Sequence, residues 1–318
     1  MNSGETIPTT AWLSPLDAII LSGTDSNPKR MVQGRNKAFL EVGGEVLVRR
    51  VAETLLNASS IGFVFVVGPA EPLRKALDGL TDQVVIVDQV GKMLANTWAA
   101  IHASEARCLT GENGVDPERP LLIISCDLPL ISPTAVDDFV ARCAQAENAA
   151  QTHFSLFGGV VEEASLRRYY PQEGKPGIRR PYVHFSHELL RLANIYVARP
   201  RKLSHQEFLQ TGFSYRKARN WRNVMSLVRS YLGWSGGWKA AWLTLRLQAT
   251  LMASRRGGKL YRWLREGNSL ERVELAMGAL LGGTVKMIIT PYGGFSLDVD
   301  DEEDFRVLNQ RFDDWSSM

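Results

Sequence analysis

At 318 residues, 45% of them hydrophobic, the chain can bury the core of one large α/β domain or two ordinary ones, which excludes wholesale disorder. The formal net charge of +3 is too slight to make nucleic acid a global partner, although Arg and Lys crowd residues 167–265 and acidic residues gather near the C-terminus. Cys108, Cys126 and Cys143 form no CxxC pair, the opening residues carry no signal-peptide pattern, and Lys239 and Arg246 interrupt the best apolar run, so a reducing compartment and no membrane span are expected.

Residues 1–16 read as an N-terminal extension. The apolar run at 18–21 is short and lacks alternation, as in a fully buried strand. It empties through Leu21, Ser22, Gly23 and Thr24 into a small, polar loop carrying Lys29, Arg30, Arg35 and Lys37. Unhindered backbone N–H groups and nearby cations in such a loop suit phosphate oxygens. The loop has neither the Walker A spacing nor the three glycines of a dinucleotide fingerprint. A helix is predicted over 45–57, with Val46, Leu47, Val51 and Leu55 or Leu56 on one face. Next come a strand at 61–67, a helix at 72–80 and a strand at 83–87. This alternation predicts a parallel doubly wound sheet, which places ligands at the carboxyl ends of its strands. Asn96 stands near a helix start, where capping is its ordinary use. The apolar strand at 121–124 delivers Asp127 at its C-terminal end, before Leu128-Pro129, a position where Asp also serves turns. Ser132 and Pro133 then open a helix to about 146.

A strand is predicted at 152–161. Residues 163–181 mix Tyr169 and Tyr170 with Arg167, Arg168, Lys175, Arg179 and Arg180, which reads as an anion-binding surface or a solvated loop. His184 and His187 have no Cys or acidic neighbour to complete a zinc site. Residues 220–267 combine Trp221, Trp234, Trp238, Trp242 and Trp263 with many Arg and Lys. Such helices suit an anionic membrane interface or a cap packed on the sheet; the cap is favoured, because Trp fills cores and Arg stems cover apolar surface. Gly233, Gly236 and Gly237 separate two of the helices. Ser269 caps a helix to 281, a strand follows at 285–290, and Asp298, Asp300, Asp301 and Asp304 then cluster. Acidic residues at 301–304 suit a first helical turn, and the cluster lacks the Gly and Glu of an EF-hand.

In this order the segments resemble the nucleotidyltransferases with a Rossmann-like, glycosyltransferase-A-like sheet, in particular the branch related to the molybdenum-cofactor guanylyltransferase. Leu21-Ser22-Gly23-Thr24 stands where that branch has Leu-Ala-Gly-Gly, and Asn36-Lys37-Ala38-Phe39-Leu40 where it has its lysine; Thr24 departs from the second glycine. The resemblance implies a three-layer α/β/α fold with a mostly parallel, mixed central sheet and a helical insertion. Its parts would be a nucleotide-binding half at 17–150, an acceptor half at 151–219, the Trp-rich insertion or cap at 220–268 and a closing acidic segment at 269–318. It further implies Leu21, Ser22, Gly23, Thr24, Lys37, Asn96 and Asp127 around the nucleotide, with Lys37 and Arg30 as catalytic cations. Mg2+, or Mn2+ in its place, would sit on Asp127 with Asp298 or Asp300, and Asn194, Arg179 and Arg180 would meet the acceptor. The implied reaction moves a nucleoside monophosphate from a nucleoside triphosphate, CTP or GTP favoured, to a phosphorylated small molecule or lipid precursor, releasing pyrophosphate. The rival reading is a catalytically weak nucleotide-binding regulator or membrane-associated scaffold, motivated by Thr24 and the Trp-rich insertion. The expected location is cytoplasmic, with peripheral contact at the inner membrane face through 220–268 left open, as is the oligomeric state.

Overall fold

The first predicted strand is β1, Leu16–Leu21, with Ala18, Ile19 and Ile20 fully buried in the computed structural model of the chain, which describes residues 12, 14–23, 31–108, 114–208, 221–233 and 237–316. A hairpin of β2 (Glu41–Val42) and β3 (Glu45–Val46) precedes α1, Leu47–Leu56. Helix α1 therefore starts two residues later than its periodicity suggests. At the hairpin turn Gly43 has φ +60°, and a Cβ there would lie 2.1 Å from the Phe312 ring, so only glycine fits. Leu47, Val48, Val51 and Leu55 of α1 are wholly buried, each stabilising the fold by about 1.5–3 kcal/mol.

The alternation continues through β4 (Ile61–Gly68), α2 (Ala70–Ala76), β5 (Val84–Asp88), α3 (Met93–Cys108), β6 (Leu121–Ser125) and α4 (Pro133–Ala150). Helix α2 starts before the predicted 72, since Pro72 sits in its first turn, where a missing N–H is tolerated. Ser132 caps α4 as expected, its side chain accepting from Ala135 N. Strand β7, Leu156–Glu162, begins later than predicted, because α4 runs on to Ala150 and Gln151 ends it in a left-handed conformation. A short α5 (Glu163–Leu166) leads to β8 (Val183–His184) and β9 (Leu189–Ala198). Then come α6 (Trp221–Leu232), α7 (Gly237–Ser254), α8 (Gly258–Glu266), α9 (Leu270–Leu281), β10 (Val285–Thr290) and α10 (Glu302–Ser316).

The main sheet has the order β10-β7-β9-β6-β1-β4-β5. Neighbours are parallel except at β9, which runs antiparallel to both β6 and β7; β8 pairs with the start of β9 as a hairpin. One face is covered by α1, α4 and α10 around Val64, Phe139, Phe157 and Leu308. The other carries α3 over Ile19 and Phe65, and the α6–α9 block over Leu156, Val160 and Met287. The fold is thus the expected three-layer α/β/α arrangement around a mostly parallel mixed sheet.

Helices α6–α9 pack on the sheet as a cap, but not by the means expected. Val228, Tyr231, Ala240, Ala241, Ala276 and Leu281 make the buried contact, whereas Trp238, Trp242 and Trp263 are exposed. Trp234, and the side chain of Trp221, lie outside the described residues. Among the described residues no helix is long and apolar enough to cross a membrane. Cys108 is exposed and Cys126 and Cys143 are buried, all as free thiols.

Candidate active site

Strands β1, β4 and β6 end side by side, Leu21 level with Val67 and Ser125, so the loops after them share one edge of the sheet. Ser22 is fixed there, its N–H and hydroxyl both donating to Val67 O at 2.9 and 2.8 Å. At the next residue, Gly23, a Cβ would come within 2.9 Å of Asn96 Nδ2, so the backbone and the amide of Asn96 are in close approach. Asn96 itself lies in the first turn of α3, and its Oδ1 accepts from Val90 N and Gly91 N, each at 2.9 Å. Its carbonyl end thus fastens the segment that precedes α3, rather than capping the helix, while its amide end faces the loop after β1. Thr24 and Arg30 lie outside the described residues.

Lys37 opens a 3-10 turn, Lys37–Phe39, capped by Asn36. The Asn36 Oδ1 accepts from Ala38 N at 3.0 Å while its Nδ2 donates to Ser22 O at 3.0 Å. One side chain therefore ties the far end of the loop to the end of β1 and aims Lys37 over the sheet edge. Lys37 Nζ donates to Asp127 Oδ2 at 3.1 Å and stands 3.6 Å from Asp300 Oδ1. Asp127 follows β6; its other oxygen accepts from the Ser125 hydroxyl, and its backbone carbonyl accepts from Val299 N at 3.1 Å. Nearby, Gly294 passes so close to the loop after β6 that a Cβ would lie 2.2 Å from Leu130 O. These contacts bring the acidic segment, distant in sequence, against the end of β6.

Two arginines hold that segment. Arg180 Nη1 is 2.6 Å from Asp304 Oδ2 and 3.8 Å from Asp300 Oδ2, and its Nη2 donates to Asp298 O. Arg191 Nη2 stands 3.5 Å from Asp298 Oδ1, and its Nε donates to Ser296 O at 3.2 Å. Asp301 caps α10 by accepting from Asp304 N, while Asp304 Oδ2 accepts from Asp300 N, both at 3.0 Å. Capping thus explains Asp301 as expected, but Asp304 also anchors Arg180. Burial alone would lower the Lys37 ammonium, yet Asp127, Asp300 and Asp298 outweigh it and hold the group above its ordinary value. Arg180 is raised in the same way, by Asp304 and Asp298 against burial. Burial pushes the Asp304 carboxyl up in spite of Arg180.

Ser22, Gly23, Lys37, Asn96, Asp127, Asp298 and Asp300 therefore meet at one edge, with Leu21 closing β1 beneath them. Asn194 is buried in β9, one residue before Ile195, which pairs with Ile124 of β6. Arg179 and Arg180 part ways: Arg180 turns into the acid cluster, whereas Arg179 is exposed and lies over the Tyr170 ring, 5.1 Å from its centroid. His184 holds no metal partner among the described residues and instead meets Tyr261 OH at 2.8 Å. Sequence reasoning gave no role to Asn36, Ser125 or Arg191. Arg191 carried a readable signal, the one charged side chain in a mostly apolar strand; Ser125 carried none.

Asp127 and Asp300 offer hard oxygens at one point, the Lys37 amino group. Among the described residues no group of three His, Cys, Asp or Glu side chains could hold a metal alone. The donor set fits magnesium, which takes one or two carboxylates and completes its octahedron with phosphates and water.

A Rossmann-like edge that joins a small-residue loop, a lysine and strand-end carboxylates defines a nucleotidyltransferase. The family model for the MobA-like NTP transferase domain matches residues 18–210, more than half of the chain, and the chain belongs to that family. The match ends before the α6–α9 cap and the acidic segment. Among solved structures, a hypothetical transferase from Thermus thermophilus superposes with a TM-score of 0.59 at 19% identity, covering 92% of this chain and 99% of its own. A 4-diphosphocytidyl-2C-methyl-D-erythritol synthase from Anaerococcus prevotii gives 0.47 at 10% identity, covering 94% and 96%. A CMP:2-keto-3-deoxy-manno-octonic acid synthetase complexed with CTP gives 0.46 at 11%, covering 95% and 99%. No protein of curated function matches the chain in sequence.

Proposed function

We propose that the chain transfers a nucleoside monophosphate from a nucleoside triphosphate, CTP or GTP favoured, to a phosphorylated acceptor in the cytoplasm. The observation that carries this reading is the convergence of Lys37 with Asp127 and Asp300 over the end of β1. An acceptor phosphate oxygen attacks the α-phosphorus as the bond to the bridging oxygen breaks, and pyrophosphate leaves. Such a displacement needs placement and charge neutralisation more than covalent help. The backbone at Ser22 and Gly23 binds the triphosphate, and Lys37 neutralises charge developing on the α-phosphate and the leaving group. Asp127 and Asp300 would hold a magnesium ion, which would supply charge neutralisation at the phosphate oxygens. Asp298, committed to Arg191 and Arg180, positions Asp300 rather than meeting the metal. Asn194 and the exposed Arg179 are assigned to the acceptor. The acceptor's phosphate is itself the nucleophile, so no Ser, Cys or His base is called for.

The test is pyrophosphate release from each of the four nucleotides with magnesium, against a panel of sugar, polyol and lipid phosphates. Turnover with one nucleotide and one acceptor class is expected. Nucleotide binding without turnover across the panel would instead favour a regulator.

A further inference from the structure

At the start of helix α7 the small residues face the protein and the tryptophans face solvent. Gly237, Ala240 and Ala241 are buried, and a Cβ on Gly237 would lie 1.9 Å from Tyr231 O, so α6 and α7 touch closely through this side. Trp238, Trp242 and, on α8, Trp263 are 60%, 63% and 62% exposed. They form one ridge. Trp238, Trp242 and Arg246 follow at a spacing of four along α7, and the Arg246 guanidinium lies 5.3 Å from the Trp263 ring centroid. Beside the ridge, Val228, Leu232, Trp238, Ala241, Trp242 and Leu245 line a groove of about 310 Å³ with no charged side chain. Leu232, Met252 and Leu260 add exposed aliphatic surface.

The charge around this ridge is predominantly positive, the exposed Glu266 that ends α8 being the one acid within α6–α8. Residues 221–265 contain no Asp or Glu, while Lys239, Arg255, Arg256, Lys259 and Arg262 are exposed. A second copy related by a twofold axis would set that cationic rim against itself, which association disfavours. A nucleic acid would satisfy the cations but leave an aliphatic groove unfilled. Exposed Trp with a Lys and Arg rim is what the headgroup region of an anionic bilayer accommodates, rings at the interface and cations against lipid phosphates. We infer that this outer face of α6–α8 docks the enzyme on the surface of an anionic lipid membrane. The surface also adjoins the acceptor half: Tyr261 of α8 meets His184 Nδ1 at 2.8 Å, and Arg265 Nε donates to Phe185 O at 2.6 Å.

The inference does not depend on the transfer chemistry, and its test measures no turnover. The full chain is sedimented with vesicles of phosphatidylcholine alone and of phosphatidylcholine and phosphatidylglycerol in equal parts. Sedimentation with the anionic vesicles only is expected, weakened by salt and accompanied by a blue shift of tryptophan emission. Lys259→Gln with Arg262→Gln is expected to weaken vesicle binding on the order of thirtyfold, from the constant for a Lys or Arg near an anionic surface. Trp238→Ala with Trp242→Ala is expected to abolish the blue shift and most of the binding. Both double variants alter exposed side chains, so an unchanged melting temperature is their folding control. Absence of vesicle binding, equal binding to neutral vesicles, or binding that both variants retain overturns the inference. So does a concentration-dependent dimer that the Trp variant dissolves, or selective capture by oligonucleotides instead of vesicles.

Discussion

Replacing Lys37 by Met separates two roles that share one amino group. Its Nζ lies 3.1 Å from Asp127 and 3.6 Å from Asp300, each contact worth about 5 kcal/mol of gross attraction at an effective dielectric of about 20. Most of that offsets the desolvation of the buried groups, and breaking such a pair from one side costs about 3 kcal/mol net. For a chain of this size that is a fall in melting temperature of roughly 4–5 °C. The sign with pH is fixed by the raised Lys37 value: its contribution is complete below the ordinary lysine value of 10.5 and is lost as pH climbs through the folded value. Lys37→Met should therefore flatten the alkaline limb of the stability curve. Loss of one cation that stabilises transition-state charge lowers kcat/KM by about 10²–10³. Both effects are measured on one preparation, by thermal denaturation and by coupled detection of pyrophosphate. A variant that melts lower but releases pyrophosphate within about threefold of the wild-type rate would refute the reasoning, leaving Lys37 as a structural counter-ion.

Asp127→Asn keeps the shape of the loop after β6 but removes the charge that meets Lys37, and is expected to reduce pyrophosphate release by on the order of 10²-fold or more. Titrating magnesium distinguishes the origin of the loss, since a weakened metal site shifts the midpoint upward. Gly23→Val places side-chain atoms against the Asn96 amide, where even a Cβ would lie at 2.9 Å; the thermal shift given by nucleotide should shrink while the melting temperature without nucleotide changes little. Glu147→Gln tests the far side of the domain. Glu147 receives Arg199 at 2.6 and 3.1 Å and Phe154 N at 2.9 Å, and Arg199 is only 2% exposed. Burial alone would raise the carboxyl, but Arg199 and Phe154 bring it below its ordinary 4.5, so its contribution is present above that value and lost as pH falls through the folded one. Denaturant unfolding at neutral pH should show a loss of about 3–5 kcal/mol, shrinking as the pH is lowered. Chelation of divalent metal should remove the nucleotide-induced thermal shift, because among the described residues Asp127, Asp298, Asp300 and Asp304 already surround the cations that would otherwise meet the triphosphate.

The sheet was legible because its strands are apolar runs of the right length, and β10 occupies the predicted 285–290. Hydrophobic periodicity could not see local chemistry at the ends. The start of α1 is delayed by a hairpin that depends on Phe312, far along the chain, and β7 is delayed by the Glu147 contact with Phe154 N. The lysine loop and both acidic segments stood out because each breaks an apolar pattern. Their meeting is a matter of topology: β9 inserts antiparallel between β6 and β7, and its Arg191 reaches the segment that follows β10. The tryptophans show the opposite failure. Residue volume favours burial of Trp, but close packing of α6 on α7 requires Gly237, Ala240 and Ala241 inside, and helical geometry then sends positions 238 and 242 outward.

The three cations of the cluster are not equivalent, and the difference decides which of them can act on phosphate. Arg180 and Arg191 are bound to backbone as well as to carboxylates, Arg180 to Asp298 O and Arg191 to Ser296 O and Pro181 O. A planar guanidinium held at both edges is a brace, and moving it would release the segment at 296–300. Lys37 meets carboxylates alone among the described residues, through a flexible stem whose root is fixed by the Asn36 cap. Its ammonium can exchange Asp127 or Asp300 for phosphate oxygen without disturbing the backbone. For the same reason Lys37→Arg should recover much of the lost stability but little of the lost turnover, because the fork would pair with Asp127 and Asp300 in a geometry that does not release them.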